Sequence, residues 1–400
     1  MADTPLGLRD EGRRRVLQAL HDHGTCRRTE LVGLTNLGRS TVASLVAELI
    51  ERGIVVERPT PSAAPGLRMI GRPAGGVALA PTAAYSVGVD IGHEHVRVAV
   101  CDLAGNRVAD YAAHREVDLA PRETLDLAAA KVRQALDEGQ IDDRAVIGLG
   151  LGIAAPVHAE SGAIEAVGIM PGWVGVSPVA ELGSRTGFEV RVINDADAGA
   201  LGERTYGAGV GVDDLLYLRL SAGVGAGIVT AGRRLGGVAG LAGELGHVKA
   251  VEDGLICRCG NRGCLETVAG TAAIADLIGR SRRRPVTPAQ LGELLEAGDP
   301  GALRAVEDAA EYVGRVVAAA VNVLNPQLVV LGGDLARAGE TLLQPVRTAI
   351  RRLVLPAIAA AVTVTCGKLA EHAEVLGAAT LARAESPRRL ALVAAGGTAR

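Results

Sequence analysis

Four residues with metal-binding side chains fall close together in this chain: His247, Cys257, Cys259 and Cys264. Three thiolates and one imidazole are the ligand set of a closed, tetrahedral zinc site. Sulfur donors favour zinc over magnesium or calcium, and four protein ligands leave no position for reactive water, so the Zn2+ implied is structural. A loop of reduced cysteines is the plainer alternative. Against it stands the packing of three of the chain's six cysteines into eight residues. Glu244 and Glu266 bracket the ligands, so a metal that folds this loop also fixes two carboxylates in space. A carboxylate is an acceptor-only group suited to hydroxyl donors. An imidazole with one nitrogen on zinc keeps the other for a ligand.

The run Gly243-Glu244-Leu245-Gly246-His247, with Cys257-Arg258-Cys259-Gly260-Asn261-Arg262-Gly263-Cys264-Leu265-Glu266, resembles the zinc-containing signature of the ROK family (repressors, open reading frames and sugar kinases). The resemblance implies that Glu244, His247 and Glu266 line a sugar pocket. Asn194-Asp195-Ala196-Asp197 resembles that family's Asn-Asp-Ala-Asn, which brings Asn194 and Asp195 to the same pocket. In a kinase Asp195 would accept the proton of the sugar hydroxyl under attack. Without a phosphate donor it is an acceptor for that hydroxyl.

The parts a kinase needs are unevenly kept. Where the family reads Asp-x-Gly-Gly-Thr-Lys, this chain has Asp90-Ile91-Gly92-His93-Glu94-His95. A glycine lets backbone approach phosphate, and His93 replaces one. Glu94 takes a hydroxyl's place, and like charges about 4 Å apart cost roughly 1 kcal/mol in water and about 4 at an effective dielectric near 20. Ser221-Ala222-Gly223-Val224-Gly225-Ala226-Gly227 reads either as the second phosphate loop, with its threonine lost, or as a tight hairpin. Leu331-Gly332-Gly333-Asp334 matches the adenosine region. Ile169 stands before Pro171-Gly172-Trp173, where the kinases carry a sugar-binding asparagine. A buried hydroxyl left unpaired there costs about 1–3 kcal/mol, so a different sugar or pose is expected. Trp173 is either a sugar platform or core. The expected activity is therefore none; the alternative is an ATP-dependent sugar kinase with Asp195 as base.

The elements ahead of these motifs suggest a second ligand. Residues 1–80 hold eleven arginines against eight acids in a chain of net charge −3. Helices are expected at Arg13–Leu20, Arg28–Leu34 and about Arg39–Arg52, with a turn at Thr35–Gly38. In the third, Val42, Leu45, Val46, Leu49 and Ile50 recur with helical spacing and leave Arg39, Ser40, Thr41 and Ser44 outward near its start. That is the helix-turn-helix plan, whose second helix enters the major groove by its N-terminal residues. Arg28, Arg39, Ser40, Thr41 and Ser44 are the candidate contacts to base edges or phosphates. Ile54–Arg58 alternates like a strand, and Met69-Ile70 is its expected return partner, which gives a wing. Gly71-Arg72-Pro73 resembles the step after the DNA-binding domain of ROK repressors, and Arg72 is a candidate for the minor groove.

The domains expected are a winged helix-turn-helix over 1–58 (wing to 74) and a wing loop and linker over 59–82. A first α/β lobe follows over 83–194, completed by a helix at 370–385, then a second lobe with the zinc loop over 195–369 and a mobile tail over 386–400. Strand clusters alternating with helices argue for α/β, and their duplication matches the two-lobed actin-like, ribonuclease H-type ATPase fold that the resemblance implies. No run reaches the roughly 20 apolar residues of a membrane span, nothing reads as a signal peptide, and scattered Cys26, Cys101 and Cys366 argue against disulfides. A cytoplasmic protein is expected. Aromatics at 2% exclude stacking platforms for single-stranded nucleic acid. The partners expected are double-stranded operator DNA and a sugar or sugar-phosphate effector, with a homodimer or homotetramer matching a two-fold operator.

Overall fold

The computed structural model describes residues 8–59, 75–158, 161–164 and 168–383. The chain begins with α1 (Leu8–His23), β1 (Cys26–Arg27), α2 (Arg28–Thr35), α3 (Arg39–Glu51), β2 (Val55–Arg58) and β3 (Gly76–Leu79). Helix α2 stops at Asn36, which takes a left-handed conformation (φ 55°), a role that asparagine fills more readily than most non-glycine residues. The chain then turns through Gly38 into α3. The buried stripe Val42, Leu45, Val46 and Leu49 packs on Val16, Leu17 and Leu20 of α1 and Leu31 of α2. Glu48 of α3 ties the bundle electrically, with Arg13 at 2.6 Å and Arg9 at 2.8 Å.

Antiparallel strands in the order β1-β3-β2 close this part, with buried Val77 opposite both Cys26 and Glu57. The partner of β2 among the described residues is Gly76–Leu79. Apolar Val77 is what the sheet can bury against the helices. Met69, Ile70 and Arg72 lie outside the described residues. The stretch read as linker also ends in structure: β3 runs into a short turn at Pro81–Ala83, and Leu103 N–H donates to Pro81 O at 2.9 Å. Ala84 and Ile147 of the next unit belong to the same apolar cluster as α1 and α3, so the two parts share a core.

That unit comprises β4 (Tyr85–Ile91), β5 (His95–Asp102), β6 (Arg107–His114), α4 (Pro121–Glu138), β7 (Val146–Ile153), α5 (Pro178–Thr186) and β8 (Val190–Asn194). Its sheet runs β6-β5-β4-β7-β8, antiparallel as far as β4 and parallel beyond. The second unit holds α6 (Asp195–Tyr206), β9 (Leu215–Leu220), β10 (Val224–Thr230), β11 (Arg233–Arg234), α7 (Glu266–Ala269), α8 (Thr271–Arg282), α9 (Pro288–Glu296) and α10 (Pro300–Leu324). It continues with β12 (Leu328–Gly332), α11 (Glu340–Leu353), α12 (Pro356–Ala361) and β13 (Thr363–Cys366) before α13 (Ala373–Arg383). The sheet β11-β10-β9-β12-β13 repeats the first, antiparallel then parallel. Central β4 and β7 are buried almost throughout; β7 accordingly reads as an unbroken apolar and glycine run, while β4 carries Ser86 and Asp90 among its apolar residues.

Helix α13 returns to the first sheet. Glycines make the approach possible: a Cβ on Gly150 would lie 1.8 Å from Ala378 O, and one on Gly377 would lie 1.7 Å from Ala198 O of α6. Gly377→Ala should therefore push α6 and α13 apart, lowering stability by about 1–3 kcal/mol. A thermal scan reads this, and an unchanged midpoint would mean the helices do not pack so tightly.

Candidate functional site

The two units meet at a cleft lined by His93, Ile169, Asn194, Asp195, Arg219, Gly223, Glu244, His247, Arg258 and Glu266, among others. Asn194 ends β8 and caps α6. Its Oδ1 accepts from Ala196 N–H at 2.8 Å and Asp197 N–H at 3.4 Å, and its Nδ2 donates to Ala155 O at 3.1 Å. This side chain is occupied with aiming its neighbour. Asp195, the first residue of α6, is 5% exposed and faces Arg219 of β9, Nη1 to Oδ2 3.3 Å. Arg219 Nε also reaches Glu374 of α13 at 3.2 Å, and Tyr217 O–H donates to the same carboxylate at 2.9 Å. Burial pushes Asp195 above the usual carboxylate range, although Arg219 opposes it. Burial likewise takes Glu374 up to about 7, against the pull of Arg219. Arg219 is thus a cation enclosed between the units, and the sequence reading missed it. Its signal was weak, one arginine in an otherwise apolar Leu-Leu-Tyr-Leu-Arg-Leu strand.

Two histidines fill the β4–β5 turn. His95 Nε2 lies 2.7 Å from Asp90 Oδ2, and its ring covers Gly92 so closely that a Cβ there would sit 2.2 Å from Cε1. Burial alone would raise Asp90, yet His95 holds it below its ordinary value. His93 points to the cleft. Arg258 Nη2 donates to its Nε2 at 3.3 Å, and because arginine has no acceptor, His93 Nδ1 carries the proton donated to Asp118 Oδ1 at 2.7 Å.

The Ser221–Gly227 segment is a hairpin between β9 and β10. Gly225 and Gly227 face α6, where a Cβ would lie 2.9 Å from Ala196 Cβ and 2.4 Å from Ala196 O. Close helix packing accounts for their spacing. Trp173 is fully buried and donates from Nε1 to Val117 O at 3.0 Å; it belongs to the core. Ile169 is 8% exposed and lines the cleft.

Glu244 and Glu266 enter from the loop after β11. Glu266 is held hard: Arg258 Nε donates to Oε1 at 2.9 Å, Arg258 Nη2 to Oε2 at 3.2 Å, and Val224 N–H to Oε2 at 3.1 Å. Burial would raise it, but this guanidinium keeps it low. Glu244 differs. His247 Nε2 is 3.8 Å from its Oε2, and burial followed by the charges of Asp195, Asp197 and Glu266 lifts it to about 7.

His247, Cys257, Cys259 and Cys264 converge, with one ligand atom from each within 4.8 Å of all the others. His247 Nδ1 to Cys257 Sγ and Cys259 Sγ to Cys264 Sγ are both 3.7 Å, near the roughly 3.4–3.8 Å edges of a tetrahedron built on zinc bond lengths. The donor set and spacing fit Zn2+. Nδ1 faces the sulfurs, which leaves Nε2 for the cleft. Gly263 (φ 75°), where a Cβ would meet Val251 O at 1.8 Å, lets the loop fold back on itself.

Of the DNA candidates, Arg39, Ser40, Thr41 and Ser44 are exposed on the first turns of α3. Arg28 is turned to Glu57 of β2 at 2.9 Å.

Two mixed sheets of matching topology around a cleft with a paired-carboxylate floor define a two-lobed sugar-kinase-like fold. The chain belongs to the ROK family, whose model matches residues 86–385. It is 33% identical to a glucokinase of Halalkalibacterium halodurans over 315 residues, 75% of this chain and 95% of that protein. It is 26% identical to a xylose repressor of Caldicellulosiruptor bescii over 379 residues, 90% of this chain and 92% of that one. A solved ROK family transcriptional regulator, a homologue of the E. coli MLC protein, superposes with TM-score 0.77 at 24% identity, covering 98% of this chain and 100% of that one. At that identity the likeness concerns the fold. Among the described residues no helix is long and apolar enough to cross a membrane.

Proposed function

We propose that this chain is a sugar-responsive transcriptional regulator, a winged helix-turn-helix on a zinc-stabilised ROK body. The observation that carries the reading is the pairing of two surfaces in one chain. One is the polar, exposed start of α3; the other is the cleft of Asp195, Glu244, His247 and Glu266. The repressor relative supports it by matching 90% of this chain. Helix α3 would enter the major groove of operator DNA with Arg39, Ser40, Thr41 and Ser44, and Arg72 would reach the minor groove. Arg28 contributes by holding β2. A symmetric homodimer or homotetramer would match two half-sites. Zn2+ on His247, Cys257, Cys259 and Cys264 supplies a structural crosslink that positions Glu244 and Glu266.

The kinase alternative draws on the glucokinase relative and on Asp195. His95 over Gly92, and Arg219 on the Asp195 carboxylate, speak against it: one takes the room of a phosphate and the other engages the base. An effector acts by binding one conformational state better than another. The shared core between α1, α3 and Ile147 gives a lobe movement a mechanical path to the DNA-binding helices.

The test is fluorescence anisotropy of the zinc-loaded protein on DNA upstream of its own gene, titrated with pentoses, hexoses and their phosphates, beside an ADP-release assay. Sequence-specific binding altered by one sugar, without ADP release, is expected. ADP release with sugar and no specific DNA binding would reverse the assignment. In the same assay Arg39→Ala should weaken operator binding about tenfold; if Arg39 meets phosphate, the salt slope falls by about one.

A further inference from the structure

The acceptor oxygens of Glu266 are already occupied by a side chain of the same loop. Arg258 takes both of them through Nε and Nη2, and Val224 N–H takes a further position on Oε2. The side chain of Glu266 is 11% exposed and that of Arg258 29%, so this is a partly desolvated, bidentate, charge-assisted pair and not a loose surface contact. The same guanidinium crosses the cleft. Its Nη2 donates to His93 Nε2, and His93 is itself anchored to Asp118, so a chain of contacts runs from Glu266 in the second lobe to the α4 side of the first. The backbone follows: Arg258 O lies where a Cβ on Gly168 would be, 1.9 Å away, which seats the zinc loop against the first lobe.

We propose that Arg258 is an internal competitor for the sugar site, clasping the two lobes by occupying Glu266 and His93 until effector hydroxyls displace it. The inference rests on the sugar reading of Glu266. A hydroxyl that bonds to Glu266 has to take an oxygen from Arg258, and a guanidinium that leaves Glu266 also leaves its position beside His93. Binding and release of the lobes thus become one event. The apparent affinity is reduced by the fraction of molecules in which the clasp is closed, so Arg258 sets both the threshold concentration of effector and the coupling to DNA. It also selects among sugars, favouring one whose adjacent hydroxyls satisfy Glu266 and Glu244 together.

The experiment compares full-length wild type, Arg258→Gln and Arg258→Lys. Isothermal calorimetry would use D-xylose, D-glucose, D-galactose, D-mannose, N-acetylglucosamine and their terminal phosphates. Operator anisotropy would be measured with and without sugar. Zinc content and circular dichroism establish that each variant is folded, and Arg258→Lys, which keeps a cation but not the bidentate fork, serves if the glutamine variant does not fold. Arg258→Gln should bind the responding sugar at least about tenfold tighter than wild type, which corresponds to a clasp closed in about nine molecules of ten. Without sugar, its operator affinity should move towards that of sugar-saturated wild type, and Arg258→Lys should fall between. Equal or weaker sugar binding by Arg258→Gln would overturn the proposal and make Arg258 an ordinary ligand contact. If neither wild type nor variant binds any sugar while both bind the operator, the sugar reading itself fails; an operator affinity unmoved by the substitution then removes the clasp as well.

Discussion

Cys259→Ser is expected to abolish zinc binding and, with it, sugar binding by the cleft and the response of operator binding to sugar. Cys259 is exposed, so serine removes a ligand without opening a cavity in the core. The loop it belongs to is held by short backbone hydrogen bonds and the Arg258 contacts, with little apolar burial of its own. Val248, Leu255 and Ile256 are 41%, 65% and 69% exposed, and apolar surface left in water contributes nothing to folding. A bound metal would supply what burial does not, and structural zinc contributes about 10–16 kcal/mol of apparent binding energy in small zinc-folded peptides. With three ligands the loop loses its fixed geometry, and Glu244 and Glu266 lose their relative positions. Elemental analysis, calorimetry and anisotropy on one preparation decide it. Sugar binding retained by zinc-free protein would show that the loop is held by something other than metal.

The His-Cys cluster was legible because its members fall in a short segment, and the structure brings His247, Cys257, Cys259 and Cys264 within metal-binding distance of one another. The duplication was legible too, since β4 and β9 begin equivalent strand clusters. What escaped the sequence lies in contacts made across long separations. Arg219 and Glu374 are 155 residues apart in the chain, and nothing local marks either as a partner of Asp195. Helices α5, α9 and α11 carry weak local signals: α5 and α9 are nine residues each, and α11 carries Pro345 within it. The strands of the N-terminal part were half legible. β2 declared itself by alternation, but β3 is four residues whose pairing with both β1 and β2 is a tertiary decision. The glycines of Ser221–Gly227 show the limit in another way. Their alternation fits a phosphate loop and a tight hairpin equally well on paper, and the approach of Gly225 and Gly227 to Ala196 is a packing reason that no local signal shows.

Glu244→Ala should cost at least about a hundredfold in sugar affinity while leaving thermal stability unchanged or slightly raised. Every other polar group at the floor of the cleft is engaged within the protein: Asp195 by Arg219, Glu266 by Arg258, Asn194 by the start of α6. Glu244 has His247 Nε2 at 3.8 Å and three carboxylates around it, which is why burial and like charge lift it to about 7. A zinc ion behind His247 would favour the ionised form, and so would the hydroxyls of a bound sugar. The residue is therefore poorly satisfied in the empty cleft and well satisfied in the filled one, which is the condition for a group that contributes to binding at the expense of stability. Two hydroxyl bonds to a carboxylate, at about 1.5 kcal/mol each, account for a loss of about 3 kcal/mol, or two decades. Alanine also removes a charge that Asp195 and Asp197 repel, so the empty protein gains where the complex loses. Calorimetry with the responding sugar and a thermal scan of the same variant separate the possibilities. Unchanged affinity takes Glu244 out of the pocket, whereas a parallel fall in stability and affinity makes it a support for the zinc loop and not a sugar ligand.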